Sequence, residues 1–323
     1  MMPTKINQSR YKTIYQRQEN PPWDSSYVPG ILATRNEAPS ISIACTLTAA
    51  KLDGRFVHLL SKNERNAALL GLYCPDVFGL QEQRMLSPEP CLHPLNTLSV
   101  ANPFKQIAMD GVIQIAENLN CLDLLPKILL KTKMGESFYA VYPWCGDLLW
   151  AIKQGEKFFC VNWSIKDKHE DFYLDKSKKY SLIETPSTDL LARHQIESEF
   201  YLQARIPTYH LAGDDIDKEV VRNLRRIFLH HRRSIGLSPE KINEVKRAFQ
   251  TAMEIGLPAS DVIENFATRK LYSVEDLKNI FYQAIWYREL LVDLFSPVLI
   301  NIPLKPMEKD VLDVHGAWFK ELP

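Results

Sequence analysis

The chain has 323 residues, and its 39 Lys and Arg balance 39 Asp and Glu, so the formal charge at pH 7 is zero. This balance excludes a uniformly basic nucleic-acid-coating protein, and an apolar share of 46% predicts a folded core rather than disorder. At about 150 residues per domain, the length predicts two domains.

No apolar run approaches the ~20 residues that a membrane helix needs, so we expect no membrane segment. Residues 1–20 lack the apolar stretch of a secretory signal. The six cysteines form no CxxC pair, which favours reduced thiols in a cytoplasmic protein over disulfides or zinc ligands. The first 36 residues carry five Lys and Arg against two acids and include the helix breaker Pro21-Pro22. We expect an extended basic arm there, and a plain disordered tail is the alternative.

Helix and strand patterns alternate up to residue 214. A helix is predicted from Ser61 to just before Pro75, and a strand over residues 77–86. One or two helices are predicted within residues 107–130, and a short strand over 138–142. Two apolar runs, residues 147–152 and 157–166, flank Lys-Gln-Gly-Glu and predict a β-hairpin. A helix over 189–204 and a strand over 206–211 complete an α/β domain (residues 1–214) with a mixed central sheet.

Helices dominate after residue 214. They are predicted over residues 217–233, from Ser238 to Gly256, over 258–266 and over 273–294, with a strand-like piece at 298–303. This composition predicts a second domain, residues 215–323, of the helix-turn-helix or winged-helix kind.

Four residues form a candidate catalytic set. Asp147 enters the predicted hairpin, while Ser164 and Lys166 end its second strand on the same face, because residues two apart on a strand point the same way. Glu64 lies on the upstream helix. An acidic helix residue, an Asp at a hairpin and a Lys ending the next strand are used by metal-dependent nucleases.

The chemistry of such a set is direct. Two carboxylates, Glu64 and Asp147, can hold Mg²⁺, which prefers oxygen ligands and polarises a phosphate while activating water. The lysine orients the water or neutralises charge in the transition state. Each residue also has a structural interpretation. Ser61 and Glu64 form a capping box, Gly146-Asp147 suits a turn, and Ser164 and Lys166 suit a strand end that reaches solvent.

The order and context of these segments resemble the TnsA family, the endonuclease subunits of heteromeric cut-and-paste transposases. The resemblance spans about residues 40–230 and rests on Val57-His-Leu-Leu-Ser-Lys-Asn-Glu64, Leu80-Gln-Glu-Gln83, Gly146-Asp147-Leu-Leu, Trp163-Ser-Ile-Lys166 and Gln203-Ala-Arg-Ile-Pro207.

The resemblance implies a restriction-endonuclease-like catalytic domain followed by a winged-helix-like domain. It implies that Glu64 and Asp147 bind Mg²⁺, with Mn²⁺ as a substitute, and that Lys166 is the catalytic lysine. Such proteins cut the 5′ ends of the transposon, an integrase-type transposase subunit cuts and joins the 3′ ends, and an AAA+ regulator ATPase engages the C-terminal domain. The implied location is the bacterial cytoplasm, at the nucleoid when assembled.

The chain departs from the family pattern in three places. Ser164 stands where the family has Gln, and a hydroxyl is a shorter and weaker metal ligand that can act through water. Gln81 replaces the Arg of an Arg-Glu-Gln motif. The stretch between Glu64 and Asp147 is long, and the Pro-rich residues 87–98 are the expected insertion.

Binding of double-stranded DNA at transposon ends requires contacts to phosphates. We expect these from the N-terminal arm, from the charged loop at 166–179 and from the C-terminal domain, specifically from Gln83, Lys168, Arg269, Lys270 and Arg288. The acid-free Arg run after residue 220 is a further candidate for DNA or an acidic partner, and solvated surface charge is the alternative for each. Two other functions stay open: a non-catalytic DNA-binding or scaffold subunit, favoured by Ser164, and a stand-alone restriction-like nuclease.

Overall fold

A computed structural model of the protein describes residues 6–39, 42–98, 107–132, 134–174, 188–269 and 271–322. The chain divides into two compact units. The first comprises Met1–Arg65, Asp76–Asp215 and Trp318–Pro323, and the second comprises Asn66–Pro75 and Ile216–Ala317. The main division follows Asp215, next to the expected boundary, but each unit also contains a segment that is distant in sequence.

The strands are β1 (Cys45–Thr48), β2 (Phe56–Leu59), β3 (Val77–Glu82), β4 (Met85–Leu86), β5 (Cys91–Leu92), β6 (Ala108–Met109), β7 (Lys127–Lys131), β8 (Ser137–Val141), β9 (Trp144–Cys145), β10 (Leu148–Gln154), β11 (Lys157–Lys166) and β12 (Thr208–Ala212). The helices are α1 (Gln8–Gln18), α2 (Lys62–Tyr73), α3 (Val112–Asn118), α4 (Thr188–Leu202), α5 (Lys218–Phe228), α6 (Pro239–Glu254), α7 (Ala259–Thr268), α8 (Val274–Trp286) and α9 (Val311–Val314). Short 3₁₀ turns occur at Ala50–Leu52, Pro94–Thr97, Leu122–Leu124, His169–Phe172 and Gly316–Phe319.

A four-stranded mixed sheet forms the centre of the first unit, in the order β12-β11-β10-β3. Strand β10 runs antiparallel to β3 and β11, and β12 runs parallel to β11. The predicted hairpin and the predicted mixed sheet are therefore confirmed. Both strands of the hairpin are buried over most of their length, which explains their continuous apolar sequence. Leu149 and Ala151 pack in one core with Ile196 and Phe200 of α4.

The N-terminal segment is a packed helix, so the expected extended arm is wrong. Helix α1 starts at the cap residue Asn7, whose side-chain oxygen accepts a hydrogen bond from the Arg10 amide at 2.8 Å. Ile14 of this helix is buried against Met85 and Ile128. The helix has too few apolar residues to show a helical hydrophobic period in the sequence. Its buried Ile14 side chain packs against strands that lie far along the chain.

Two other segments of the first unit differ from expectation. The predicted strand over 77–86 is interrupted at Gln83, whose φ of +50° turns the chain between β3 and β4. The predicted helices within 107–130 reduce to α3, and the end of that segment is strand β7, which pairs with β8. The strand predicted over 138–142 is confirmed as β8, and the helix predicted from Ser61 is confirmed as α2.

The second unit is mainly helical, as expected. Asp217 and Ser238 cap α5 and α6 through side-chain hydrogen bonds to backbone amides. Helix α5 ends at Phe228 and α8 at Trp286, both earlier than predicted. Residues 298–303 form no strand and contribute only an isolated bridge from Pro303 to Pro258, since proline lacks the amide hydrogen that a ladder needs. None of the described helices is long and apolar enough to cross a membrane.

Candidate active site

Strand register brings Asp147 to the centre of the candidate site. Leu148 lies opposite Glu82 of β3 and opposite Trp163 of β11, so Asp147 immediately precedes a position shared by three strands. Its Oδ2 atom accepts a hydrogen bond from the Ile165 amide at 2.6 Å, and its carbonyl accepts one from the Gln83 amide at 3.0 Å. These contacts fix Asp147 beside the end of β11, where Lys166 lies.

Glu64 occupies the first turn of α2, where its contacts resemble the predicted capping box. Its amide donates to Ser61 Oγ at 3.0 Å, which is half of the capping box. Its carboxylate accepts a hydrogen bond at 2.8 Å from the amide of Leu60, whereas a capping box would use the amide of Ser61. The side chain is only 4% exposed, and Gln83 Nε2 donates to the same oxygen, Oε2, at 3.1 Å. Gln83 therefore joins Glu64 to the backbone of Asp147.

Lys166 ends β11 and is tied to the start of α2. Asn63 Nδ2 donates to the Lys166 carbonyl at 3.4 Å and to Asp167 Oδ1 at 3.0 Å. The Lys166 ammonium lies 5.8 Å from the centre of the Phe172 ring. Three of the four expected catalytic side chains, Glu64, Asp147 and Lys166, are thereby drawn to one end of the central sheet.

The two carboxylates are electrostatically strained. Burial, and then repulsion by Asp147, raise the pKa of Glu64 to about 8, although Lys166 acts in the opposite direction. The pKa of Asp147 is also raised, first by burial and then by Glu197, against the attraction of Lys166. A divalent cation bound between two such carboxylates would favour their ionised forms and offset the repulsion between them.

Ser164 faces Glu197, a buried acid of α4 that is not among the four predicted site residues. Ser164 Oγ donates to Glu197 Oε2 at 3.3 Å, and Asn162 Nδ2 donates to Oε1 at 3.1 Å. Burial acts to raise the pKa of Glu197, but His194, Arg193 and Asn162 outweigh it and hold the pKa near 2. Ser164 is thus engaged by a buried, ionised carboxylate of α4, and the structure does not turn its hydroxyl to Glu64 or Asp147.

A sequence signal for Glu197 exists in retrospect. His194 and Glu197 fall at helical spacing between Leu190 and Tyr201, on a stripe where apolar residues are expected, and both are buried in the structure. A buried acid on an otherwise apolar helix face needs a local reason. Here the reason is the hydrogen bonds from Asn162 and Ser164.

Glu64 is expected to make the metal-free protein less stable as pH rises from about 4.5 to about 8, an effect opposite in sign to that of His93 and His210, whose pKa values are lowered by desolvation. In this range folded Glu64 keeps the proton that its unfolded counterpart has lost, so the folded state binds more protons and raising the pH favours unfolding. Denaturant unfolding at several pH values measures the slope of the free energy of unfolding against pH. Glu64→Gln should remove the contribution that falls with pH, so this slope should be more positive than in the wild type. The matched control Glu199→Gln, on the exposed face of α4, should leave the slope unchanged. A Glu64→Gln slope equal to wild type would contradict this explanation.

Four of the five residues expected to contact DNA are described by the structure, and they differ in exposure and in their partners. Gln83 is 3% exposed and holds Glu64, which corrects its assignment as a DNA contact. Arg288 is half-buried, and its guanidinium donates to both carboxylate oxygens of Asp310. It therefore stabilises the fold of the second unit, which also corrects its assignment as a DNA contact. Lys168 is exposed, and Arg269 is exposed but paired with Glu244 at 2.9 Å. Lys270 lies outside the described residues.

The Arg run after residue 220 is acid-free only along the sequence. Arg222 pairs with Glu219 at 2.9 Å and Arg233 with Glu275 at 3.0 Å. Arg226 donates to the Val298 carbonyl at 2.8 Å. These three arginines have partners within the second unit. Their positions are therefore explained without a DNA or protein partner, in line with the alternative of surface charge.

The donor set fits Mg²⁺. Within the described ranges, no three His, Cys, Asp or Glu side chains group closely enough to form a protein-only metal site. Mg²⁺ is typically held by one or two carboxylates and completes its shell with water and substrate phosphate. Glu64 and Asp147 match that requirement in number and in their oxygen chemistry.

Comparison with known proteins adds no family assignment. No protein-family model matches the chain, and no curated protein matches it.

Proposed function

We propose that the chain is a Mg²⁺-dependent DNA endonuclease, acting as the TnsA-like subunit that cuts the 5′ ends of a transposon. The observation that carries the proposal is the cluster of Glu64, Asp147 and Lys166, positioned by α2, the start of β10 and the end of β11. An acid on a helix, an acid at a hairpin and a lysine ending the next strand are the arrangement expected for a metal-dependent nuclease. The mixed central sheet supports a restriction-endonuclease-like core for the first unit.

In this proposal Glu64 and Asp147 hold the metal, which when bound supplies Lewis-acid activation of the phosphate and of water. Gln83 orients Glu64 through its 3.1 Å hydrogen bond, and the Ile165 amide orients Asp147. Lys166 contributes positive charge beside both carboxylates and stabilises charge that develops on the phosphate. Glu197 fixes Ser164 and Asn162, and so stiffens β11 just before Lys166.

The partners follow from the same proposal. The substrate is double-stranded DNA at transposon ends. An integrase-type transposase subunit cuts the opposite strand, and an AAA+ regulator ATPase engages the helical second unit, which we propose to be winged-helix-like. A chain of zero net charge has weak non-specific affinity for DNA, which suits a nuclease delivered by partners.

A calorimetric Mn²⁺ titration tests the metal site. The wild-type protein should show saturable binding, and Glu64→Gln or Asp147→Asn should weaken it at least about tenfold, since even loss of groups that merely orient a ligand costs that much. Glu199→Gln, an exposed acid on α4, is the matched control and should bind as wild type does. Saturable binding that is insensitive to both site variants, or no binding by the wild type, would favour the scaffold alternative.

A further inference from the structure

A two-stranded ribbon in the first unit presents an exposed face that the proposed catalytic site does not use. Strands β7 and β8 pair in antiparallel register, with Leu129 opposite Tyr139 and Lys131 opposite Ser137. Because side chains alternate along each strand, Lys127, Leu129 and Lys131 share one face with Tyr139. We call this the ribbon face.

The opposite face of the ribbon is largely covered, although Phe138 on that face is 49% exposed. Ile128 is buried in a cluster with Ile14 of α1, and Leu130 and Ala140 pack against that cluster. Gln8 Nε2 of α1 donates to the Leu129 carbonyl at 2.8 Å. Helix α1 therefore supports the ribbon from behind and holds it as a defined surface.

The ribbon face itself is open. Tyr139 is 73% exposed and Leu129 43% exposed, and Lys127 and Lys131 are exposed beside them. Leu129 and Tyr139 are cross-strand neighbours, so they form one contiguous exposed patch of the kind that marks interaction sites. Two acids of the described residues lie close by: Glu136 lies in the connecting turn, and a fully exposed Asp123 carboxylate lies 4.0 Å from Lys127.

We propose that the ribbon face is a contact surface for duplex DNA, an inference that rests on the proposed nuclease function. A two-stranded β-ribbon has dimensions that fit the major groove. Two lysines on one face suit phosphate contacts, and Tyr139 between them offers a hydroxyl and a flat ring to the sugar and base edges. Alternating cationic and aromatic side chains complement a polyanion with apolar groove walls better than they complement an acidic protein surface.

The test is the salt dependence of binding to a fluorescent duplex, measured by anisotropy in EDTA from low to moderate salt. The logarithm of the association constant falls with the logarithm of the salt concentration. Each of Lys127→Ala and Lys131→Ala should make this negative slope shallower by about 1. Tyr139→Ala should weaken binding about threefold to tenfold with an unchanged slope, because it removes a neutral contact. Lys157→Ala, an exposed lysine on the hairpin of β10 and β11 that pairs with Glu321, is the matched control and should change neither quantity.

The outcomes separate this inference from the proposed function, because EDTA removes any contribution from metal-dependent cleavage. Unchanged slopes in the lysine variants, or no duplex binding by the wild type at low salt, would overturn the ribbon inference. Neither result bears on the metal site, which the Mn²⁺ titration tests separately. Ribbon variants that bind DNA normally but fail to join a transposase subunit would show that the face binds protein and would also overturn it.

Discussion

Replacing Asp147 by Asn is expected to lower the rate of DNA cleavage by about 10³-fold or more, and replacing Lys166 by Met by about 10²- to 10³-fold. Asp147 is a proposed metal ligand, and the metal supplies several kcal/mol of transition-state stabilisation. Lys166, the proposed catalytic lysine, would supply charge stabilisation of the size measured for a single electrostatic group. Strand-resolved gel analysis of end-labelled transposon-end duplexes, in the assembled transposition complex, measures both rates.

Both variants should fold. The Asn side-chain oxygen can still accept a hydrogen bond from the Ile165 amide in place of Asp147 Oδ2. The charge that is removed is one that burial and Glu197 oppose. Met keeps an unbranched stem of similar length beside Phe172. Lys166→Met should also retain Mn²⁺ binding, which separates its role from that of Asp147. Cleavage at the wild-type rate by Lys166→Met would remove the lysine from the catalytic set.

Replacing Arg55 by Met is expected to lower the free energy of unfolding by about 3–5 kcal/mol. The Arg55 guanidinium donates to both carboxylate oxygens of Glu82, at 2.9 and 2.8 Å, and to the Leu80 carbonyl. The exposed fractions of the two side chains are 5% and 0%. Burial raises the pKa of Glu82 even though Arg55 opposes the shift, so losing Arg55 leaves an uncompensated buried acid next to the Gln83 turn.

Urea unfolding measures this loss, and the chain supplies a matched control. Arg17 also pairs bidentately with a carboxylate, that of Glu37, but both side chains are about one-fifth exposed. Arg17→Met should therefore cost only about 1 kcal/mol. Adding Glu82→Gln to Arg55→Met should recover part of the stability by removing the buried charge. Equal losses for the two Arg variants would show that burial of the Arg55 pair is not what makes it important.

Much of the central sheet could be predicted because its signals are local. Two apolar runs around a Gly-containing turn define β10 and β11, and Ser61 with Glu64 marks the start of α2. The convergence of Asp147 and Lys166 then follows from hairpin register. The C-terminal helices were likewise signalled by their caps, such as Ser238 before Pro239.

The misses are features that depend on distant partners. Helix α1 and strand β7 stabilise one another through Ile14 and Ile128, so neither has a strong pattern of its own. Gln83 resembled a DNA contact in the sequence, yet a backbone turn with φ of +50° points it at Glu64. Glu197 is recognisable only when α4 is packed on β11, which places it beside Asn162 and Ser164.

Ser164 illustrates how the structure changes a sequence argument. As an isolated departure from Gln, it favoured a decayed site. In the structure its hydroxyl binds Glu197, a carboxylate held ionised by its surroundings. The substitution therefore fits a polar network on β11. Ser164 makes no described hydrogen bond to either proposed metal ligand, Glu64 or Asp147, although burial and the charge of Glu197 both raise the pKa of Asp147.

The most direct measurement of the central claim is Mg²⁺-dependent cleavage of the 5′ strand at a labelled transposon end by wild-type and Asp147→Ala proteins in the assembled complex. The claim that Glu64, Asp147 and Lys166 form a nuclease site predicts 5′-strand product with the wild type, none with EDTA, and none with Asp147→Ala although the variant is folded. Retained 5′-strand cleavage by Asp147→Ala would contradict it.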